Sequence, residues 1–287
     1  MYSSSTGVDS WTEVTTGFTD SIKDINCGTI RKESIIIATA AGGSPNNILK
    51  SIDNGTTWVK NTSNVAGTLN AVHWDNQTFV AVGDSGVITK NTQESTWTSI
   101  NNVNDRDLHG VVSGNGVFVA VGQDGTIINS GDKGSSWIRK FTTADDGSTF
   151  NYTTNNLNGV TYGNSTFVAV GDSGTILTSS DGSSWDNATS GVTVTLNAVH
   201  FNNGVFTAGG RTGILITSSD NGASWTSRSS GTSLHLNDLT SDGSGAIIGT
   251  YSYPGINIKS SDNGTSWSSS AVPEELHWRT LFAGKIR

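Results

Sequence analysis

Short apolar runs alternate along the chain with polar turns, and no apolar stripe at helical spacing extends over a helical length. The run FVAVG occurs at 79–83, 118–122 and 167–171, with FTAGG (206–210), IIIAT (35–39) and AIIGT (246–250) as variants. Each is preceded by a short strand of the form Leu-x-x-Val: LNAVHW (69–74), LHGVV (108–112), LNGVTY (157–162), LNAVHF (196–201) and LNDL (236–239), with IKDI (22–25) a looser copy. Each of four is followed by a tight DSG, QDG, DSG or RTG turn and a third strand such as GVITK (86–90) or GILIT (213–217). Then comes Ser-x-Asp-x-Gly-x-x-Trp, and a fourth strand starting at the Trp. Trp11, Trp58, Trp97, Trp137, Trp185, Trp225 and Trp267 are spaced 47, 39, 40, 48, 40 and 42 residues apart. Four strands in about 40 residues is one propeller blade.

The pattern predicts an all-β protein, a single β-propeller domain over 1–287 built from four-stranded antiparallel blades. The repeat units run approximately 12–58, 59–97, 98–137, 138–185, 186–225 and 226–267. The head, 1–11, reads as a third strand, a degraded turn and a fourth strand. The tail, 268–287, carries LFAG as an echo of FVAVG. Together they predict a seventh blade closed by strands from both termini, with six blades as the alternative.

Four near-identical copies of one turn cannot be one active site. They are Ser51, Asp53, Gly55 and Trp58; Ser130, Asp132, Gly134 and Trp137; Ser218, Asp220, Gly222 and Trp225; and Ser260, Asp262, Gly264 and Trp267. Asp can accept the turn's backbone N–H groups, Gly tolerates positive φ, and Trp supplies a large apolar anchor. KNTQESTW (90–97) keeps little of this, and TSSDGSSW (178–185) is one residue short. The DNG triplets lack the further oxygen ligands and the closing Glu of a calcium loop, so the turns are expected to be structural and no metal or cofactor is expected.

These turns resemble the Asp-box, or BNR repeat, of the sialidase-like propellers, and the full unit is most similar to propellers of the photosystem II assembly factor type. The resemblance covers nearly the whole chain. A sialidase active site would need an arginine triad, but none of Arg31, Arg106, Arg139, Arg211, Arg228, Arg279 and Arg287 stands in its sequence context. Nor does the chain show the clustered arginine patch or the leader that the assembly-factor group implies.

Composition narrows the function. Charged residues make up 14% of the chain and the net charge is −8, with no basic cluster, so phosphate-mediated nucleic-acid binding is not expected. No run approaches a membrane span, and the single Cys27 allows no internal disulfide. His73, His109, His200, His235 and His277 fall on or beside first strands without metal-ligand spacing. Binding residues are expected on the face opposite the boxes: Phe150 and Tyr152 in the longest connection, Tyr251 and Tyr253 in TYSYPG, and Arg211, which takes the usual turn Asp's place in RTG. Aromatics beside polar groups suit a sugar ring or a protein surface, or simply pin long loops. The Gly/Ser/Thr/Asn-rich surface and leaderless start favour a non-catalytic phage virion component (a tail fibre, receptor-binding or capsid-decoration protein), at the virion or extracellular surface, contacting glycan or protein. A protein-binding propeller of the photosystem II assembly factor type is the alternative, and a glycoside hydrolase the second.

Overall fold

The computed structural model describes residues 2–3, 12–13, 19–30, 33–42, 47–92, 96–101, 105–143, 149–150, 152–241, 246–251 and 256–271. Six four-stranded antiparallel sheets follow one another along the chain, each a meander in sequence order. Blade 1 comprises Ile22–Ile30, Glu33–Ala40, Ile48–Ser51 and Val59–Asn61. Blade 2 comprises Leu69–Trp74, Thr78–Gly83, Ile88–Thr92 and Thr98–Ile100. Blade 3 comprises Leu108–Gly114, Val117–Gly122, Ile127–Ser130 and Ile138–Arg139. Blade 4 comprises Leu157–Gly163, Thr166–Gly171, Ile176–Ser179 and Asp186–Ala188. Blade 5 comprises Leu196–Asn202, Val205–Gly210, Leu215–Ser218 and Thr226–Arg228. Blade 6 comprises Leu236–Ser241, Ile247–Tyr251, Ile256–Ser260 and Ser268–Ala271.

The molecule is therefore a single six-bladed β-propeller, which corrects the expectation of seven. Among the described residues, Tyr2–Ser3 and Thr12–Glu13 pair only with each other, as a two-stranded hairpin. Two strands of two residues each cannot supply the edge-to-edge ladder of a blade, which takes about 40 residues in a propeller. The tail expected to complete that blade, 276–287, lies outside the described residues.

The second strands explain why the FVAVG runs are apolar throughout. A blade is covered on both faces by its neighbours, so both sides of the pleat need apolar residues. All six residues of Thr78–Gly83 are buried. The cores lie between blades, not within them. Ala71, Val80, Val82 and Ile88 of blade 2 pack with Leu108, Val111, Phe118, Ala120 and Trp137 of blade 3. Val119, Val121 and Ile127 of blade 3 pack in turn with Leu157, Phe167, Leu177 and Trp185 of blade 4.

A β-bulge recurs at one place in every blade. Pairing between first and second strands slips after the leading residue, at Leu69/Ala71, Leu108/Gly110, Leu157/Gly159 and Leu196/Ala198 among others. The skipped residue is the second of the Leu-x-x-Val motif, and a bulge re-aims such a side chain. Here it reaches the next blade. Asn70 Nδ2 donates to Leu108 O at 3.0 Å, Asn158 Nδ2 to Leu196 O at 3.0 Å, and Asn197 Nδ2 to Leu236 O at 2.6 Å. His109 Nδ1 contacts Leu157 O at 3.0 Å in the same role. The motif's polar second position thus ties blade to blade.

Candidate functional site

At the outer turn between third and fourth strands, the repeated motif is saturated by its own hydrogen bonds. In blade 1, Asp53 Oδ1 accepts from Ser51 Oγ at 2.8 Å and Thr57 N–H at 2.8 Å, and Oδ2 accepts from Thr57 Oγ1 at 2.5 Å. Ser51 Oγ accepts Gly55 N–H at 2.9 Å, and Trp58 Nε1 donates to Gly55 O at 2.9 Å. Blades 5 and 6 repeat the set around Asp220 and Asp262. Blade 3 repeats it around Asp132, with Trp137 Nε1 on Gly134 O at 3.2 Å. The hydroxyl donors at Thr57, Ser136, Ser224 and Ser266 lead in holding Asp53, Asp132, Asp220 and Asp262 down to about 2. A carboxylate so engaged in its own turn is a structural group. Among the described residues no cluster of His, Cys, Asp or Glu could hold a metal ion.

Blade 4 shows what the missing residue costs. Gly182 follows Asp181 directly, Ser179 Oγ still accepts Gly182 N–H at 2.8 Å, but Trp185 Nε1 is buried without a partner. Gly182 O instead accepts from Asn129 Nδ2 of blade 3 at 3.0 Å.

The opposite face is built from the turns between second and third strands and the connections between blades. Asp84–Gly86, Gln123–Gly125, Asp172–Gly174 and Arg211–Gly213 each form a single 3-10 turn whose middle residue is left-handed: Ser85, Asp124, Ser173 and Thr212, at φ 53–56°. Glycine ends each turn for two reasons. At Gly174 φ is +70°, and a Cβ would sit 2.0 Å from Val192 O in the connection to the next blade. The turn acids are held by amides: Asn70 Nδ2 donates to Asp84 Oδ1 at 2.8 Å, while Asn156 and Asn158 donate to the two oxygens of Asp172 at 3.0 and 3.2 Å. Asp124 pairs with Arg106 at 3.3 Å.

On this face lies a solvent-open cavity of about 590 Å³ where blades 4, 5 and 6 meet, with Ser173, Thr193, Arg211, Thr212 and His235 exposed. Asp172, Ser173, Thr193, Val194, Thr195, Arg211, Thr212 and His235 line it. Its size is that of a site for a small molecule or a few peptide residues, and its lining is polar. His235 Nδ1 accepts Thr212 N–H at 3.0 Å, so the neutral ring carries its proton on Nε2.

Of the residues singled out from sequence, Arg211, Tyr152 and Tyr251 do not converge. Arg211 lines the cavity and is exposed. Tyr251 is 1% exposed and packs with Leu215, Leu236 and Ile258 between blades 5 and 6. Burial pushes its hydroxyl pKa up. Tyr152 is half-buried against the core between blades 3 and 4, and its hydroxyl donates to Ser183 O at 3.1 Å, which pins the long connection to the outer turn of blade 4. Phe150 ends a two-stranded hairpin, Thr142–Thr143 with Thr149–Phe150, and Tyr253 lies outside the described residues. Sequence reasoning missed Ser173, Thr195 and His235. The signal was there in aligned form: in the blades that follow the four turns, the residue before the leading leucine is Asp107, Asn156, Thr195 or His235, and of these only Thr195 takes no bond from the preceding turn's middle N–H.

The remaining arginines of the described residues are spread and engaged elsewhere. Arg106 pairs with Asp124, Arg228 Nε donates to Thr217 Oγ1 at 2.9 Å, and Arg139 lies over the Phe141 ring at 5.2 Å. No arginine triad forms among them.

Solved structures with the same arrangement of strands are propellers. The structure titled YCF48 bound to D1 peptide superposes with a TM-score of 0.67 at 16% identity, over 89% of this chain and 82% of that one. YCF48 from Cyanidioschyzon merolae gives 0.67 at 17% identity, over 91% and 88%. The WD40 repeats of RRP9 give 0.70 at 10% identity, over 94% and 86%. The shared feature is the β-propeller fold. No family model matches the chain, and no curated protein sequence does.

Proposed function

We propose that this chain is a non-catalytic propeller that binds a protein partner on its turn face, at the cavity between blades 4, 5 and 6. The observation that carries the reading is the cavity itself: it is a polar recess lined by Arg211, which makes no ion pair among the described residues, on a face where the other turns are internally bonded. The likeness to a propeller solved with a peptide supports a peptide or protein as the occupant. This favours the assembly-factor type of protein-binding propeller over the virion component expected first, for which no structural observation speaks. The self-saturated Ser-x-Asp-x-Gly-x-x-Trp turns support kinship with Asp-box propellers, and the dispersed arginines support the absence of sialidase chemistry.

A photo-crosslinking residue placed at Thr193, on the cavity rim, is expected to capture a protein, identified by mass spectrometry, while one at Ser219, on the outer turn of blade 5, captures nothing. Capture from Ser219 alone, or saturable binding on a glycan array without any protein cross-link, would overturn the reading.

A further inference from the structure

In three of the four left-handed turns the middle residue spends its N–H on the next blade. Ser85 N–H donates to Asp107 Oδ1 at 2.7 Å, Asp124 N–H to Asn156 Oδ1 at 3.0 Å, and Thr212 N–H to His235 Nδ1 at 3.0 Å. The acceptor is each time the residue just before the leading leucine of the following blade. In blade 4 the donor is Ser173 and that position holds Thr195, which takes no such bond. The N–H of Ser173, an exposed residue, therefore has no acceptor among the described residues, and it lines the cavity.

Across the cavity the charge pattern is inverted. Blades 2, 3 and 4 place Asp84, Gln123 and Asp172 at the first turn position; blade 5 places Arg211 there. Asn197, the counterpart of Asn70 and Asn158, consequently bonds only the Leu236 carbonyl. With Nδ1 of His235 committed to Thr212, its Nε2–H adds another donor. An unspent backbone N–H, a guanidinium and an imidazole N–H thus line one recess.

Resting on the protein-binding reading above, we infer that this cavity captures a single carboxylate of the partner, which accepts the Ser173 N–H and pairs with Arg211. Backbone N–H groups in a turn combined with arginine recognise carboxylates, and arginine does so with two parallel bonds. A phosphate dianion fits less well, because Asp172 lines the same recess and Asp84, Asp107 and Asp124 stand on the same face. The carboxylate is that of a chain terminus or of an acidic side chain.

The test is an NMR titration of the full chain, following the Ser173 amide and the Arg211 Nε–H. The probes are acetate, an N-acetylated apolar tetrapeptide with a free C-terminal carboxylate, its C-terminal amide, the same amide with one Glu, and inorganic phosphate. Saturable shifts are expected with acetate and with the free-acid or Glu peptide, the tighter of the two identifying the source, and none with the apolar amide. Arg211→Gln is expected to weaken binding about tenfold or more. Thr195→Asp supplies the missing acceptor as Asp107 does, and is expected to abolish binding while the melting temperature holds or rises. Phosphate binding tighter than every carboxylate, equal binding of the apolar amide, or undiminished binding to Thr195→Asp would overturn the inference. If no carboxylate moves the Ser173 amide while Thr193 still cross-links a protein, only this inference falls. If acetate binds but cross-links arise from Ser219 alone, the protein-binding reading falls and a site for small carboxylates remains.

Discussion

At the scale of single residues, two tryptophans in the same motif position do different physical work. Trp137 and Trp185 are both about as buried, 4% and 5% exposed, but only the Trp137 indole has an acceptor. A buried donor without a partner costs about 1–3 kcal/mol, a cost that vanishes when the donor is removed. Trp185→Phe is therefore expected to destabilise less than Trp137→Phe by about 1 kcal/mol or more, read from urea unfolding; equal losses would argue against the orphaned indole. Two histidines carry a second expectation. Burial holds His73 and His200 at about 4, below the ordinary 6.5. The unfolded chain takes up these protons below 6.5 and the folded one only near 4, so the stability they contribute is full above 6.5 and drains as pH falls towards 4. At about 1.4 kcal/mol per pKa unit, the loss between 6.5 and 4 is at most about 3.5 kcal/mol for each. Urea midpoints are expected to fall across that window, and His200→Phe to flatten the fall. A pH-independent midpoint there would count against it. The turn carboxylates held at about 2 weaken the fold only in stronger acid, between 3.8 and 2.

At the scale of elements, the bulge explains the asparagine in Leu-Asn-x-Val. It is neither a turn residue nor a ligand. Its side chain leaves the sheet and bonds the next blade's carbonyl, and in blade 4 it also bonds Asp172. Asn158→Ala removes both bonds and leaves Leu196 O without this donor; a loss of about 1–3 kcal/mol is expected from urea unfolding. A loss below about half a kcal/mol would show that water replaces the amide freely. The motif itself was visible in the sequence. Its purpose was not, because a bulge is a mismatch between two strands and only their pairing reveals it.

At the scale of the whole molecule, each blade's core belongs equally to its neighbour. Phe167 in blade 4 packs against Val119, Val121 and Ile127 of blade 3, whereas Val168, the next residue along, faces Leu196 and Phe206 of blade 5. Such nearest-neighbour coupling resembles that of stacked repeats. Phe167→Ala is expected to cost about 3–5 kcal/mol as a large-to-small change in a packed core. The lost amide-exchange protection is expected first in blades 3 and 4, with blade 1 affected least. A uniform loss over all blades would indicate one indivisible unit.

The sequence by itself determined the architecture: short continuous apolar runs, turns that demand glycine, and a Trp register of about 40 residues leave little besides four-stranded blades. It also carried the self-contained chemistry of the Ser-x-Asp-x-Gly-x-x-Trp turn, because every partner in that turn lies within seven residues of the first serine. Blade number was decided by pairing at the ends, where short segments can be read as strands but cannot show whether they find a sheet. The site was decided by distance across blades. Tyr251 and Tyr152, exposed aromatics by pattern, are drawn into inter-blade cores. Ser173, Thr195, Arg211 and His235 lie in three different repeats and meet only because turns of consecutive blades abut. Local interactions are written in local sequence; a cavity between repeats exists only once the repeats are stacked.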